Sequence, residues 1–357
     1  MKKRASDTPK QCKPMRVAVI GCTKAAEAHI EALGAVSGVK LVALCDAEVK
    51  KVKAFQKKYK VRRRYTNYLK MIESRFGRGI DAVHVCLDDA ACALVASYCL
   101  MNKCHVMTVY PMALDLAAVK DAVKNADYMG KNCAIVPPAC FDGAATFAKE
   151  ALATGNLGAI LSARSVICAP AITVEESDKG FSAEKPDRLL FDSVAPAINF
   201  VDSLIEADVA SLSCSLSNRA HTDKSFADSA EGVVTYEGNV KHSFYCTANY
   251  ESGNSIQITL ACEKGSIVFE GAQVRITYED GTESDMTDES AAGYSALIGE
   301  FYEACREGRA PVTDAHGALR LHEILLGLYA DAMERGVEGL SAKGAASSFA
   351  RSKKIWY

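Results

Sequence analysis

The sequence predicts an α/β chain: a doubly wound parallel sheet first, then a second α/β domain carrying a mostly antiparallel sheet. Two patterns carry that expectation. In the first part, short bulky apolar runs alternate with helical segments of about ten residues or more, which demands right-handed crossovers and a parallel sheet. Beyond Pro137 and Pro138 the period changes to two, with glycine turns between the runs. That pattern reads as antiparallel strands with one buried face.

Each element of the first part follows from its own residues. Met15–Gly21 (MRVAVIG) is a buried strand closed by glycine, and a helical stretch runs on through Gly34. Val39–Asp46 (VKLVALCD) is the second strand, and Lys50–Tyr59 has helical composition. Asp81–Leu87 (DAVHVCL) is a third strand, followed by a helix over Ala90–Met101 and a strand over His105–Val109. A helix over Leu114–Tyr128 and a strand over Asn132–Val136 complete the set. In the second part a helix and the strand AILSARSVI precede a meander over Glu231–Gly281, turned at Glu237-Gly238-Asn239, Ser252-Gly253-Asn254 and Gly265. Two helices, about Tyr294–Arg306 and Ala318–Arg335, close the chain.

A length of 357 residues exceeds what one core normally serves, so two domains are expected. The boundaries read as a flexible tail over 1–14, a parallel-sheet α/β domain over 15–137 and a second domain over 138–357. Forty-two basic against 44 acidic residues give a net charge of −2, so bulk charge points to neither a nucleic-acid nor a membrane partner. No apolar stretch reaches the ~18 residues of a membrane span, and the start lacks the apolar core of a signal peptide. The 14 cysteines form no CxxC pair and no Cys/His ligand spacing, so they read as reduced core thiols in a cytoplasmic protein with no metal. Lys57–Arg64 (KKYKVRRR) holds six basic residues and reads as a solvated helix end and turn.

The first strand opens GCTKAAEAH at Gly21. A dinucleotide fingerprint places glycines there for a tight turn, for close approach to a pyrophosphate and for helix packing. Only Gly21 is present; Thr23 and Ala26 occupy the other two positions. Asp46, 25 residues after Gly21, ends the second strand. An acid there can accept from the adenosine ribose and disfavours a 2′-phosphate, so NAD is preferred over NADP. The alternative for Asp46 is a helix N-cap. Candidate cofactor contacts are Gly21, Thr23, Lys24, Ala25, Ala26, Asp46, Leu87, Asp88, Tyr110 and Pro111.

Taken in order, VAVIGCTKAAEAHIEAL, LVALCDAEVKKVKAF, YTNYLKMI, DAVHVCL, NKCHVMTVYPMA, GNLGAI and the closing helices over Glu300–Ala332 resemble the glucose–fructose oxidoreductase, inositol dehydrogenase and rhizopine catabolism (Gfo/Idh/MocA) family. The resemblance spans Met15 to about Gly339. It implies a Rossmann domain, then an α/β domain with a large open sheet through which members form dimers or tetramers. It also implies NAD(P)-dependent redox chemistry on sugars, inositols and related small carbonyl compounds.

The family's two catalytic signatures are altered. Where it carries Glu-Lys-Pro, with the lysine reaching the nicotinamide ribose and the reacting hydroxyl, this chain has Val109-Tyr110-Pro111. The Glu184-Lys185-Pro186 found later lies in a loop-like stretch and reads as coincidence. Where the family carries an acid, a histidine four residues on and an aspartate three beyond, this chain has Asp192, Pro196 and Asn199. Such i, i+4, i+7 spacing shares one helical face, where a base could meet a hydroxyl, but Pro196 accepts no proton. Asp192 is then either a catalytic residue or, with Ser193, an N-cap. Asp88, Asp89 and Cys92 replace a proline–asparagine pair and a histidine, and two carboxylates near a pyrophosphate weaken its binding unless turned outward.

Tyr110 and Asp192 are therefore the candidate catalytic residues. A phenol with an ordinary pKa near ~10 needs a nearby cation to act as a base, but it can donate a proton in the reductive direction as it stands. Lys185 and Arg188 are candidate neighbours, since both precede Asp192. Three functions stay open: an active oxidoreductase, a catalytically impaired nucleotide- or sugar-binding relative, and an activity like the family's NAD-dependent glycosidases.

Overall fold

The computed structural model describes residues 13–87, 89–136, 142–169, 188–205, 207–220, 227–249, 255–271, 273–287 and 293–338. They fall into two compact units, one running to Val136 and including Tyr294–Ala315, the other holding the segment between and the chain from His316 on. Pro137 and Pro138, the sequence boundary, lie outside the described residues, as do residues 1–12, Asp88, Lys185 and the Gly253 turn.

The first unit is built on a six-stranded sheet in the order β3-β2-β1-β4-β5-β6. Its strands are β1 (Met15–Ile20), β2 (Val39–Cys45), β3 (Arg63–Tyr65), β4 (Ala82–Val85), β5 (His105–Val109) and β6 (Cys133–Val136). Every neighbouring pair is parallel. The central strands read as unbroken apolar runs because both faces are covered; all four residues of β4 and of β6 are buried. The crossovers are α1 (Lys24–Ala35), α2 (Val49–Tyr59), α3 (Tyr68–Glu73), α4 (Asp89–Met101) and α5 (Leu116–Met129). The basic run differs from its sequence reading: after Lys60 closes α2 in the left-handed conformation, Arg63–Tyr65 pairs with β2 as an edge strand. Its arginines still face solvent, which suits an edge.

The helix α8 (Gly293–Glu307) belongs to this unit, although the sequence boundary places it in the second domain. Its stripe of Leu297, Ile298, Phe301, Tyr302 and Ala304 is buried. Arg306 donates to the carbonyls of Ser37 at 2.9 Å and Gly38 at 3.1 Å, and Asn132 donates to that of Arg309 at 2.9 Å. Residues 133–135 then pair with 313–314 through a bridge between Ala134 and Asp314 and a bond from Ile135 N–H to the Thr313 carbonyl.

The second unit holds α6 (Asp142–Ala153) and an eight-stranded sheet in the order β14-β13-β12-β11-β7-β10-β9-β8. The strands are β7 (Ile160–Cys168), β8 (Val209–Ser217), β9 (Ser229–Tyr236), β10 (Lys241–Thr247), β11 (Ser255–Cys262), β12 (Gly265–Glu270), β13 (Gln273–Tyr278) and β14 (Glu283–Thr287). The expected meander is interrupted, because β7 inserts between β10 and β11, parallel to the first and antiparallel to the second. The turn into β10 uses Gly238 and Asn239 at φ of 79° and 65°, the conformation a tight hairpin needs. One face is buried through His242, Phe244, Cys246, Ile258, Leu260, Ile267, Phe269, Val274 and Ile276, on the side of α6, α7 (Ala195–Asp202) and α9 (Ala315–Arg335). Arg320 of α9 clasps Asp202 of α7 at 2.8 and 3.1 Å. Among the described residues no helix is long and apolar enough to cross a membrane.

Candidate functional site

In an open parallel sheet, ligands bind at the C-terminal strand ends where the connections diverge, here between β1 and β4. Asp46, Gly21, Leu87 and Tyr110 follow β2, β1, β4 and β5 in turn along this edge. From Gly21 to Tyr110 spans two strand spacings, about 10 Å.

Gly21 is required twice over. Its φ is +93°, and a Cβ there would stand 2.3 Å from the Cys86 carbonyl oxygen. Its N–H is held by the Cys45 carbonyl at 2.8 Å. Thr23, at the second glycine position, caps α1: its Oγ1 accepts the Ala26 N–H at 3.3 Å and donates to the Cys86 carbonyl at 3.1 Å. The hydroxyl is thus committed to the protein. Ala26 is buried, as the packing position demands. The first-turn N–H groups of Lys24 and Ala25 have no intrahelical acceptor, and the exposed Lys24 adds a cation beside them.

Asp46 ties two turns together. Its Oδ2 accepts the Cys22 N–H at 2.7 Å and its Oδ1 accepts the Glu48 N–H at 2.7 Å. The N-cap alternative fails, because α2 starts later and its N-cap residue is Glu48. A carboxylate oxygen has two acceptor sites, so each still has one for a ribose hydroxyl. Cys22 and Cys45 pack behind this turn, and burial pushes both thiols up to about 12; burial raises the Cys86 thiol as well. They fill space and do not ionise. Leu87 lies against Gly21, 3.0 Å from the position of its absent Cβ.

Tyr110 is half-buried and joins Pro111 through a cis peptide bond. Pro111 and Met112 behind it are buried. Asp88 and Lys185 are outside the described residues.

The second unit presents the exposed Asp192 on an otherwise largely buried π-helical turn, Leu189–Val194, running into α7. The cause is local. Pro196 has no N–H for the Asp192 carbonyl, and the Ala195 N–H reaches back five residues to Leu190. Helical backbone therefore starts before Asp192, and neither Asp192 nor Ser193 is an N-cap. Arg188 instead grips Asp192 bidentately, at 2.8 and 3.0 Å. Pro196 is buried and Asn199 half-buried. Arg188 was visible in the sequence as a residue four positions before an acid, whereas the Cys22 N–H and the Cys86 carbonyl carry no sequence signal, being backbone groups.

The cradle fits a dinucleotide: a glycine turn a Cβ would fill, first-turn donors for a pyrophosphate, and an acid with acceptor capacity for ribose. The sequence profile described as "Oxidoreductase family, NAD-binding Rossmann fold" (GFO_IDH_MocA) matches residues 15–136, and the profile of that family's C-terminal domain matches 146–268. The chain belongs to the Gfo/Idh/MocA family. Solved structures agree on the fold. An oxidoreductase from Agrobacterium radiobacter, in complex with NAD+, L-tartaric acid and magnesium, is 16% identical at a TM-score of 0.79, over 90% of this chain and 97% of that one. Myo-inositol 2-dehydrogenase from Lactobacillus plantarum is 20% identical at 0.75, over 90% and 97%. Scyllo-inositol dehydrogenase from Lactobacillus casei, with NAD(H) and scyllo-inositol, is 16% identical at 0.77, over 90% and 98%. No curated protein sequence matches the chain. Within this Gfo/Idh/MocA member, no group of three or more His, Cys, Asp or Glu among the described residues is placed to hold a metal ion.

Proposed function

We propose that the chain is a cytoplasmic NAD-dependent oxidoreductase acting on a hydroxyl or carbonyl of a sugar, inositol or related small compound, with an altered proton-transfer group. The observation that supports this reading is the Asp46 bridge to Cys22 and Glu48, which leaves carboxylate acceptor sites for a ribose on the edge that also bears Tyr110. Gly21, Thr23, Lys24, Ala25 and Ala26 hold the pyrophosphate, Asp46 the adenosine ribose, and Leu87, Tyr110 and Pro111 the nicotinamide half. When bound, NAD supplies the hydride acceptor, or in its reduced form the donor.

Tyr110 is the proton donor in the reductive direction. A neutral phenol needs no prior ionisation to hand its proton to a developing alkoxide, and such transfers contribute roughly 10²- to 10⁴-fold. Asp192 accepts hydrogen bonds from substrate hydroxyls, with Arg188 fixing its carboxylate plane. The open face of the second unit's sheet, around Arg164, Ser243 and the exposed Tyr245, is the proposed contact for a homodimer or tetramer. Light scattering on the purified chain decides that point.

The test is turnover of NADH or NAD across a panel of inositols, aldoses, ketoses and hydroxy acids, with Tyr110→Phe alongside. The reading expects at least one substrate, and a loss of about 100-fold or more in kcat for Tyr110→Phe with NADH still bound. A second reading, a catalytically impaired nucleotide-binding relative, is favoured by Pro196: it is buried and has no proton-accepting side chain where the resemblance implies a histidine. NADH binding without turnover across the whole panel would select it.

A further inference from the structure

The near-zero net charge hides a local imbalance. Between Lys50 and Ile80 lie twelve basic residues and one acid, Glu73, which leaves 30 basic against 43 acidic residues elsewhere. In the fold these residues gather on α2, on the edge strand β3 and on the turns that follow, all within the first unit. Like charges so placed repel one another unless acids or counterions stand among them. The acids at hand are engaged: Glu48 pairs with Lys51 at 2.5 Å, Glu27 with Lys58 at 2.7 Å, and Glu73 accepts the Tyr98 hydroxyl at 2.6 Å. Lys50, Lys53 and Lys57 recur at helical spacing on one exposed face of α2, clear of those pairs. Among the described residues no carboxylate forms an ion pair with them, nor with the exposed Arg62, Arg63 or Arg78.

The edge strand adds a fixed feature. Successive side chains of β3 alternate in direction, so Arg64 bonds Gln56 on α2 while Arg63 crosses to the opposite side. There the Arg63 guanidinium stands 4.0 Å from the centre of the Phe76 ring, and that of Arg16 stands 4.4 Å from the same centre. Arg16 also donates to the Phe76 carbonyl at 3.5 Å, while Asp81 takes its backbone N–H at 2.7 Å. Two guanidiniums thus share one ring with no carboxylate paired to either among the described residues. A phosphate, which matches the guanidinium fork, would neutralise them.

We infer that this face of the first unit binds a nucleic-acid duplex through its phosphates, without reading sequence. The lysine stripe repeats every few ångströms along α2, as phosphates do along a strand. Rings on this face are already covered, Phe76 by two arginines and Tyr59 by Lys58 and Phe55, so an unstacked base finds no platform. The duplex therefore fits better than a single strand. Val52, the buried residue of α2, is turned to the sheet, so the helix keeps no apolar face to lay into a membrane.

Fluorescence anisotropy of a labelled duplex of about 20 base pairs, titrated with the full chain between about 50 and 200 mM salt, tests the contact. Log affinity should fall with log salt at a slope of about −4 or steeper, and alike for two unrelated sequences. Lys53→Gln/Lys57→Gln and Arg62→Gln/Arg63→Gln should each flatten the slope by about 2 and weaken binding about tenfold or more at about 0.1 M salt. Their melting temperatures should stay within about 2 °C of the wild type. Vesicles of anionic phospholipid, poly-glutamate and an unstructured single strand are run alongside. No duplex binding at about 50 mM salt, or a slope unchanged in both variants, overturns the inference. Tighter binding of any of the three alternatives also overturns it. The readout involves no NADH, so it stands apart from the dehydrogenase reading.

Discussion

Arg188 and Asp192, both exposed, form a two-point contact along one π-helical turn, with Arg188 Nε 2.8 Å from Asp192 Oδ2 and Nη2 3.0 Å from Oδ1. An exposed pair at this spacing adds only about 0.3–0.5 kcal/mol to stability. The role proposed for it is therefore substrate orientation, not folding. Asp192→Asn should shift the melting temperature by no more than about 2 °C, while raising KM for the substrate that the panel identifies. Arg188→Ala should raise KM in the same direction. A KM unchanged in both variants would remove Asp192 from the site.

Gly21 meets the Cys86 carbonyl so closely that any side chain must displace β4 or the turn. Gly21→Ala should cost about 2 kcal/mol or more of stability through the clash and the positive φ. It should also abolish measurable NADH binding, because the shifted turn occupies the phosphate position. Thermal melts with and without NADH check both parts, with the ligand-induced rise present in the wild-type chain and lost in the variant.

His29, His84 and Tyr302 form a buried chain, with Nδ1 to Nδ1 at 2.8 Å and His84 Nε2 to the Tyr302 hydroxyl at 2.8 Å. Burial holds His29 down at about 4 and His84 well below the ordinary histidine range, with His29 beside His84 adding to it. Both are neutral in the folded state, whereas in the unfolded chain they take protons near pH 6.5. Their contribution is thus complete above pH 6.5 and is lost as pH falls toward 4. For His29 alone the change is roughly 3 kcal/mol. Denaturant midpoints should be flat from pH 8 to 7 and fall between 6.5 and 4. Tyr302→Phe should cost about 1–3 kcal/mol, because it strands His84 Nε2 in the core.

Much of the first unit was legible because its signals are local. A bulky run ending in glycine at Gly21, or in an acid at Asp46, marks a strand end from sequence alone. Where β7 sits was not legible, since its parallel pairing with β10 is made across about 80 residues and leaves no mark on either strand. The return of α8 to the first unit was hidden for the same reason: Tyr302 looks like any core aromatic until His84 is beside it. At the site, Tyr110 and Pro196 are read directly in the sequence, and their proposed substitution for the family's lysine and histidine comes from the resemblance. The consequence of Thr23 could not, because its hydroxyl is neutralised by a carbonyl 63 residues away. Asp192 as an N-cap was a reasonable expectation for an acid before a proline, and the π turn overturned it.

The most direct test of the account is a fluorescence titration of NADH into the purified chain, repeated with Asp46→Ala. Saturable binding is expected in the micromolar to submillimolar range. A loss of about tenfold or more is expected in the variant, which gives up both the ribose acceptor and the link between the Cys22 and Glu48 turns. No saturable signal up to millimolar NADH, or equal binding by the wild-type and Asp46→Ala chains, would contradict the account.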